Sequence, residues 1–223
     1  MSLKKADKII AVSNYIKSDI VRFYKNVKHK IVVVYNGISP KYYDSQHYDK
    51  KEENNVVYIG RVVSGKGLDL LLEAVRKIQE DRVIQLTIVG DGPELSRLKA
   101  YVKDNNLKNI NFVGKQLNIT KYLDKAKVFI YPSVCNEAFG ISIVEGMARG
   151  CIPVVFGNGG IPEIVNEKNG FVTKLISSDS LYELMIKGLN SNIKPQFETE
   201  EAKKFNIVNT IKGLEKEYSC FDK

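Results

Sequence analysis

Two carboxylates, Glu137 and Glu145, stand eight positions apart in the stretch from Pro132 to Met147, which also holds Gly140. The residues just before it, Val128-Phe129-Ile130-Tyr131, form an apolar run of strand character. Those after it, Ile141, Val144, Met147 and Ala148, recur at helical spacing. Such a strand-to-helix junction suits a phosphate: first-turn N–H groups lack intrahelical partners, the helix dipole adds positive potential, and a glycine permits close approach. At a rise of about 1.5 Å per residue, a diphosphate over the helix start would direct one end of its ligand toward Glu137 and the other toward Glu145. A nucleotide-sugar has that shape. Arg61 and Lys66 flank a second strand-to-helix loop, where two cations could neutralise a diphosphate without a metal.

Each of these residues also has a plainer explanation. Arg61 and Lys66 could be solvated loop charges, and Glu137 a cap that complements the helix dipole. Glu145 falls among apolar neighbours, so its carboxylate needs partners; two vicinal ribose hydroxyls would supply them, and so would a salt bridge on the helix surface. Cys135 lies inside the candidate stretch, but no histidine is near in sequence to activate it, and it reads as a small hydrophobe. The two histidines, His29 and His47, have polar neighbours and read as surface residues. There is no zinc-ligand spacing, nucleophile elbow, P-loop or G-x-G-x-x-G after the first strand of the sheet.

The elements that must position these residues alternate regularly from Asn55 onward, the mark of a parallel α/β sheet. Predicted strands are 56–59, 83–89, 110–113, 128–131, 152–156 and 169–172. Predicted helices are 68–79, with Leu68, Leu71, Leu72, Val75 and Ile78 on one face, then about 94–104, 120–125, a short one ending near Val165, and 178–189. Pro93 suits the first turn of its helix. The loops leaving the strands collect glycine and charge: Gly60 to Gly67, Gly90 to Pro93, Gly114 to Gln116, Ser133 to Gly140 and Gly157 to Gly160. Ligands of open parallel sheets bind beyond the carboxyl ends of the strands, where such loops lie. Ahead of this repeat, 6–13 reads as a strand, Ser13 or Asn14 starts a helix running to about Phe23, and 31–35 is a strand closed by Asn36-Gly37. These pieces are too few for an independent sheet and should pack on something else. A polar, turn-rich linker containing Pro40, Asp44 and Asp49 follows, and a charged amphipathic tail, 198–218, reads as helical.

At 223 residues and 43% hydrophobic, the chain can bury a substantial core. Three cysteines, Cys135, Cys151 and Cys220, are sparse and odd in number, which favours free thiols and a reducing, cytoplasmic setting. The net charge is +8, but the cations are 28 lysines and only 6 arginines, without a basic stripe interleaved with aromatics. That argues against nucleic acid, whose readers rely on arginine forks, and leaves a Lys-rich solvated surface or a peripheral contact with an anionic membrane face.

The run from Glu137 to Glu145 and on through Gly146-Met147-Ala148-Arg149-Gly150 resembles the E-x7-E signature of retaining glycosyltransferases of family four, which have the two-domain GT-B architecture. Other blocks resemble that family in the same order: Ala6 to Ser13, Tyr35 to Ile38, Tyr58 to Arg61 with Lys66-Gly67, Ile88 to Glu94, Phe112 to Gly114, and Gly159 to Glu163. The resemblance implies a Rossmann-like α/β parallel sheet flanked by helices, the donor-binding half of a GT-B enzyme. It divides the chain into an acceptor-domain remnant and crossover (1–40), a linker (41–54), a donor-binding domain (55–192) and a tail helix (193–223) that crosses back.

By the same resemblance Gly60, Arg61 and Lys66 hold the donor diphosphate, and Glu145 holds the ribose hydroxyls. Glu137 meets the transferred sugar as the catalytic carboxylate. Phe139, Gly140, Ile141 and Ser142 present backbone to the distal phosphate, while Gly114, Lys115 and the residues to Asn118 lie at the base. The donor is a UDP- or GDP-sugar, with no metal and no separate cofactor, and the acceptor is a glycan or lipid-linked acceptor contacted by an amino-terminal domain. Family members carry such a domain, and nothing precedes Ala6 here that could be one, so the expectation is a donor-binding fragment inactive on its own. The alternative is a non-enzymatic nucleotide-sugar binding module that works with a separate acceptor-domain chain.

Overall fold

The computed structural model describes residues 3–43 and 48–219. Asp44, His47 and Cys220 lie outside the described residues. At the front, β1 (Ile9–Ala11) passes through α1 (Asn14–Phe23) to β2 (Ile31–Val33), and the two strands pair in parallel with Ile9 opposite Ile31. Ser13 caps α1 as its position predicts, its Oγ accepting from the Ile16 N–H. Ile9, Ala11, Val27 and Ile31 make a cluster of their own. Four buried side chains cannot offset the conformational entropy of the segment, so this unit leans on the rest of the molecule.

The main body is a six-stranded, all-parallel sheet. In chain order its elements are β3 (Glu52–Ile59), α2 (Leu68–Ile78), β4 (Gln85–Val89), α3 (Leu95–Asp104), β5 (Ile110–Gly114), α4 (Thr120–Lys125), β6 (Ala126–Tyr131), α5 (Ile141–Ala148), β7 (Ile152–Phe156), β8 (Phe171–Thr173) and α6 (Ser178–Asn190). The spatial order is β5-β4-β3-β6-β7-β8. The chain therefore winds outward in one direction from β3 and in the other from β6, a doubly wound Rossmann-like arrangement whose switch point lies between β3 and β6. The central strands are buried on both faces, which is why they read as unbroken apolar runs; Val56, Val57, Tyr58, Val128, Phe129 and Ile130 are all inaccessible. Helix α2 buries the five residues of its predicted face, with Ala74 beside them.

Several boundaries differ from the sequence reading. β3 begins at Glu52, since Glu52 pairs with Ala126 ahead of a register shift; the exposed Glu52, Glu53 and Asn54 extend the strand past the covering helices and so carry no apolar signal. β4 begins at Gln85, leaving Val83 72% exposed, and β8 starts at Phe171. Pro93 precedes α3 instead of opening it, because Glu94 is the N-cap. The segment read as a surface linker is in part structural: Tyr42 is buried, and the Lys51 ammonium donates to the carbonyls of Leu123 and Ala126, both at 2.7 Å.

The tail, read as one helix, is two, α7 (Pro195–Ala202) and α8 (Ile207–Tyr218). Asn206, extended at φ −73° and ψ 142°, breaks it and caps α8 through its side chain. There the outgoing and returning chains lie side by side: the Ile38 N–H donates to Phe205 O at 2.9 Å and the Ile207 N–H to Ile38 O at 3.1 Å. Gly37 permits this approach, since a Cβ there would sit 2.5 Å from Ile207 Cα. Helix α8 then crosses back to the front unit, where Thr210 Oγ1 donates to Tyr35 O at 2.9 Å and Lys8 pairs with Glu217 at 3.0 Å. Among the described residues no helix is long and apolar enough to cross a membrane.

Candidate functional site

The loops after β3 and β6 leave adjacent strands at the switch point and close on each other. Gly65 O accepts the backbone N–H groups of Val134 at 2.9 Å and Cys135 at 3.3 Å. Gly67, at φ +69°, brings the start of α2 so near that a Cβ would lie 1.9 Å from Pro132 O. Only glycine meets both demands. The loop after β7 fastens the same assembly: the Gly160 N–H donates to Glu137 O at 2.7 Å, and Asn158 Nδ2 to Ser133 O at 2.9 Å.

This bracing delivers Lys66 to Glu137. The ammonium forms an ion pair with Glu137 Oε1 and also donates to the Tyr131 hydroxyl at 3.2 Å, while the Ser133 hydroxyl donates to the same Glu137 oxygen. The two charged side chains keep only 12% and 16% of their exposure. Burial pulls the Lys66 ammonium toward neutrality, but the hydrogen bond to Glu137 and the proximity of Tyr131 outweigh it, so its pKa ends above the ordinary lysine value. Lys66 stays cationic throughout the physiological range. A diphosphate presented here would compete with Glu137 for the ammonium, and a sugar hydroxyl would replace Lys66 on the carboxylate.

Beside this pair Gly140, at φ +122°, is the N-cap of α5 and offers no side-chain cap, so the amides of Ile141 and Ser142 are open to an anion. Glu145 lies one turn into α5. It does not join the Lys66 cluster and lies on the side of Lys41 and Tyr42. Burial raises the Glu145 carboxyl above the usual range, and the nearby Tyr42 hydroxyl and Lys41 charge partly oppose that rise.

Arg61 is exposed at the end of β3, and Lys115 is exposed past Gly114 at the end of β5, on the same rim of the sheet and outside the Lys66–Glu137 contact. Gly60 hydrogen-bonds Val89 O across the strand ends at 3.0 Å. Gly114, at φ +68°, turns the chain with open space above it. Phe139 is buried between Tyr35 and Phe205, with ring centroids 6.0 and 5.3 Å away, so it can offer a ligand only its backbone. Cys135 is an exposed free thiol facing Gly65, and His29 is exposed.

Sequence reasoning assigned no role to Glu163, Ser133 or Tyr42. The Glu163 carboxylate accepts from the Asn14 and Tyr15 N–H groups and the Tyr35 hydroxyl, each at 2.8 Å, capping α1 across 149 positions of chain. Burial would raise its pKa, but these donors bring it below the ordinary carboxylate value. The Ser13 hydroxyl caps α1 and donates to Ala138 O at 2.6 Å, tying the front unit to the loop that carries Glu137. The signal was present in the block Gly159 to Glu163, but nothing local shows that a carboxylate there faces another helix.

Known proteins share sequence and fold with this chain. A protein described as an uncharacterized glycosyltransferase of Methanocaldococcus jannaschii is 28% identical over 220 residues, covering 96% of this chain and 59% of that protein. The N-acetyl-alpha-D-glucosaminyl L-malate synthase of Bacillus anthracis is 28% identical over 172 residues, covering 73% of this chain and 45% of the enzyme. Among solved structures, a glycosyltransferase of Rickettsia africae superposes with a TM-score of 0.85 at 23% identity, over 95% of this chain and 62% of that one. Anabaena HepE, solved with UDP and glucose, superposes with a TM-score of 0.83 at 21% identity, over 96% and 63%. This chain thus spans about half to three fifths of the length of these relatives. The six-stranded sheet has the Rossmann-like fold of GT-B glycosyltransferases. The profile of family 4 glycosyltransferases matches residues 1–42, that of glycosyl transferases group 1 matches residues 43–205, and the chain belongs to this glycosyltransferase family.

Proposed function

We propose that this chain forms the donor-binding half of a retaining glycosyltransferase, which takes a hexose-like sugar from UDP or GDP to a glycan or lipid-linked acceptor. One observation carries the reading: at the switch point of the sheet, the Lys66 ammonium, the Glu137 carboxylate and the uncapped start of α5 converge, with Glu145 one turn further along. Lys66, Arg61 and the α5 amides stabilise the charge that develops on the nucleoside diphosphate as the sugar–phosphate bond breaks. They do so as fixed charges and dipoles, and this reading requires no metal. Glu137 faces the sugar and Glu145 the ribose. Retention of configuration and the nature of the acceptor rest on the resemblance to family four. Solved HepE complexes with UDP and glucose, and the sugar-transferring relatives, support the donor class.

Titration calorimetry with UDP, GDP and their sugar conjugates tests this. Glu145→Ala should weaken the free nucleoside diphosphate by about tenfold or more, the worth of a hydrogen bond to a charged group. Glu137→Ala should spare the free nucleotide and weaken the sugar conjugate. Unchanged affinities in both variants would remove these roles, and no binding by the parent chain would remove the function.

A further inference from the structure

Both hydrogen bonds that the described residues give to the Glu137 carboxylate end on one oxygen. The Lys66 ammonium and the Ser133 hydroxyl donate to Oε1, and none reaches Oε2. The two donors differ in what else they can do. Lys66 has a second partner, the Tyr131 hydroxyl at 3.2 Å, with the Tyr131 ring centroid 5.4 Å away, so its ammonium keeps an anchor when it turns to a phosphate. Ser133 has no such freedom. It is 1% exposed, its carbonyl accepts from Asn158 of the loop after β7, and the Val134 and Cys135 amides that follow it are held by Gly65 O. Its single hydroxyl proton has two acceptors in reach, and the charged Glu137 oxygen is nearer than Gly65 O at 3.4 Å.

A carboxylate has about four acceptor positions, so with both donors on Oε1 the second oxygen keeps its share for a ligand. A diphosphate that draws Lys66 away leaves Ser133 as the remaining donor of the chain on Glu137. We propose that Ser133 is a positioning residue for Glu137: its hydroxyl holds Oε1 after the diphosphate has taken Lys66, and so keeps Oε2 turned toward the sugar hydroxyls of the donor. This rests on the donor-site reading above and adds a residue that favours the sugar conjugate over the free nucleoside diphosphate.

Calorimetry on the full chain with UDP, UDP-glucose, GDP and GDP-mannose reads this as the ratio of conjugate Kd to nucleotide Kd. Ser133→Ala should raise that ratio by about threefold or more over the parent, the worth of one hydrogen bond, with the free nucleotide bound as before. A serine that only braced its loop would weaken both ligands alike, because the loop it leans on carries Lys66. Glu137→Ala should raise the ratio at least as far, and the double variant no further than Glu137→Ala alone, because the serine acts through the carboxylate. A rise below about threefold in Ser133→Ala, or a further rise in the double variant, overturns the proposal while leaving the donor site standing. Binding of a nucleotide without either conjugate by the parent overturns it too, since Oε2 would then meet no sugar. If the parent chain binds none of the four, the donor-site reading and this proposal fall together.

Discussion

Glu198, in the first turn of α7, is wholly buried, and neither carboxylate oxygen has a hydrogen-bond partner. Burial is the main cause, and the nearby Glu201 adds to it against the partial relief of Lys204; together they push its pKa up to about 9 from the ordinary 4.5. The group is therefore protonated in the folded chain at neutral pH and ionised in the unfolded one. Its cost to stability is absent below about pH 4.5, grows as pH rises through the interval between the two values, and is complete above about 9. At about 1.36 kcal/mol per pH unit, the three units from pH 5 to pH 8 carry at most about 4 kcal/mol. Glu198→Gln keeps the shape and cannot ionise. Urea unfolding of both proteins at pH 5, 6, 7 and 8 should show the glutamine variant gaining on the parent as pH rises, toward that ceiling. Any constant offset from the new amide drops out, because only the slope of the difference matters. Parallel stability curves would refute the reasoning and mean that Glu198 finds a partner or water in solution.

Other consequences are open to simpler tests. Gly67→Ala forces a Cβ onto Pro132 O from a left-handed backbone, so it should cost about 3 kcal/mol or more in thermal unfolding and weaken UDP binding by parting the two loops. Arg149→Leu leaves the partly buried Asp124 without this ion pair and should cost about 3 kcal/mol, with much of the loss recovered when Asp124 is also made apolar. Glu163→Gln should expose the Asn14 and Tyr15 amides to faster hydrogen exchange and cost about 1–2 kcal/mol at neutral pH. Because the Glu163 pKa is lowered on folding, that contribution is present above about 4.5 and is lost as pH falls through the folded value; the two proteins should converge in stability in acid.

The alternation of apolar runs made the parallel sheet legible, since strands buried on both faces leave no polar positions to obscure them. Glu137, Lys66 and Gly140 were legible as a site because each sits at a strand exit, where any open α/β sheet places its ligands. The strand order was not, because nothing in the sequence of β6 says that it returns beside β3 instead of continuing past β5. That return alone puts Lys66 on Glu137, 71 positions away. Tyr42 was hidden for a different reason: its flanks, Ser39-Pro40-Lys41 and Tyr43, are polar or turn-forming, so a single buried ring among them has no period to reveal it. The tail misled through its amphipathic pattern, which continues across Asn206 even though the backbone there is extended.

The side-by-side passage of the chain at Ile38 and Asn206 also limits how the molecule can move. That pairing, the Ser13 bond to Ala138 O and the Glu163 bonds to the α1 amides hold the front unit against the sheet at separate places. The outgoing chain runs on from Ile38 to Tyr42, buried four residues later. Force applied to the front unit would thus be shared among these ties and would reach the loop that carries Glu137 through Ser13.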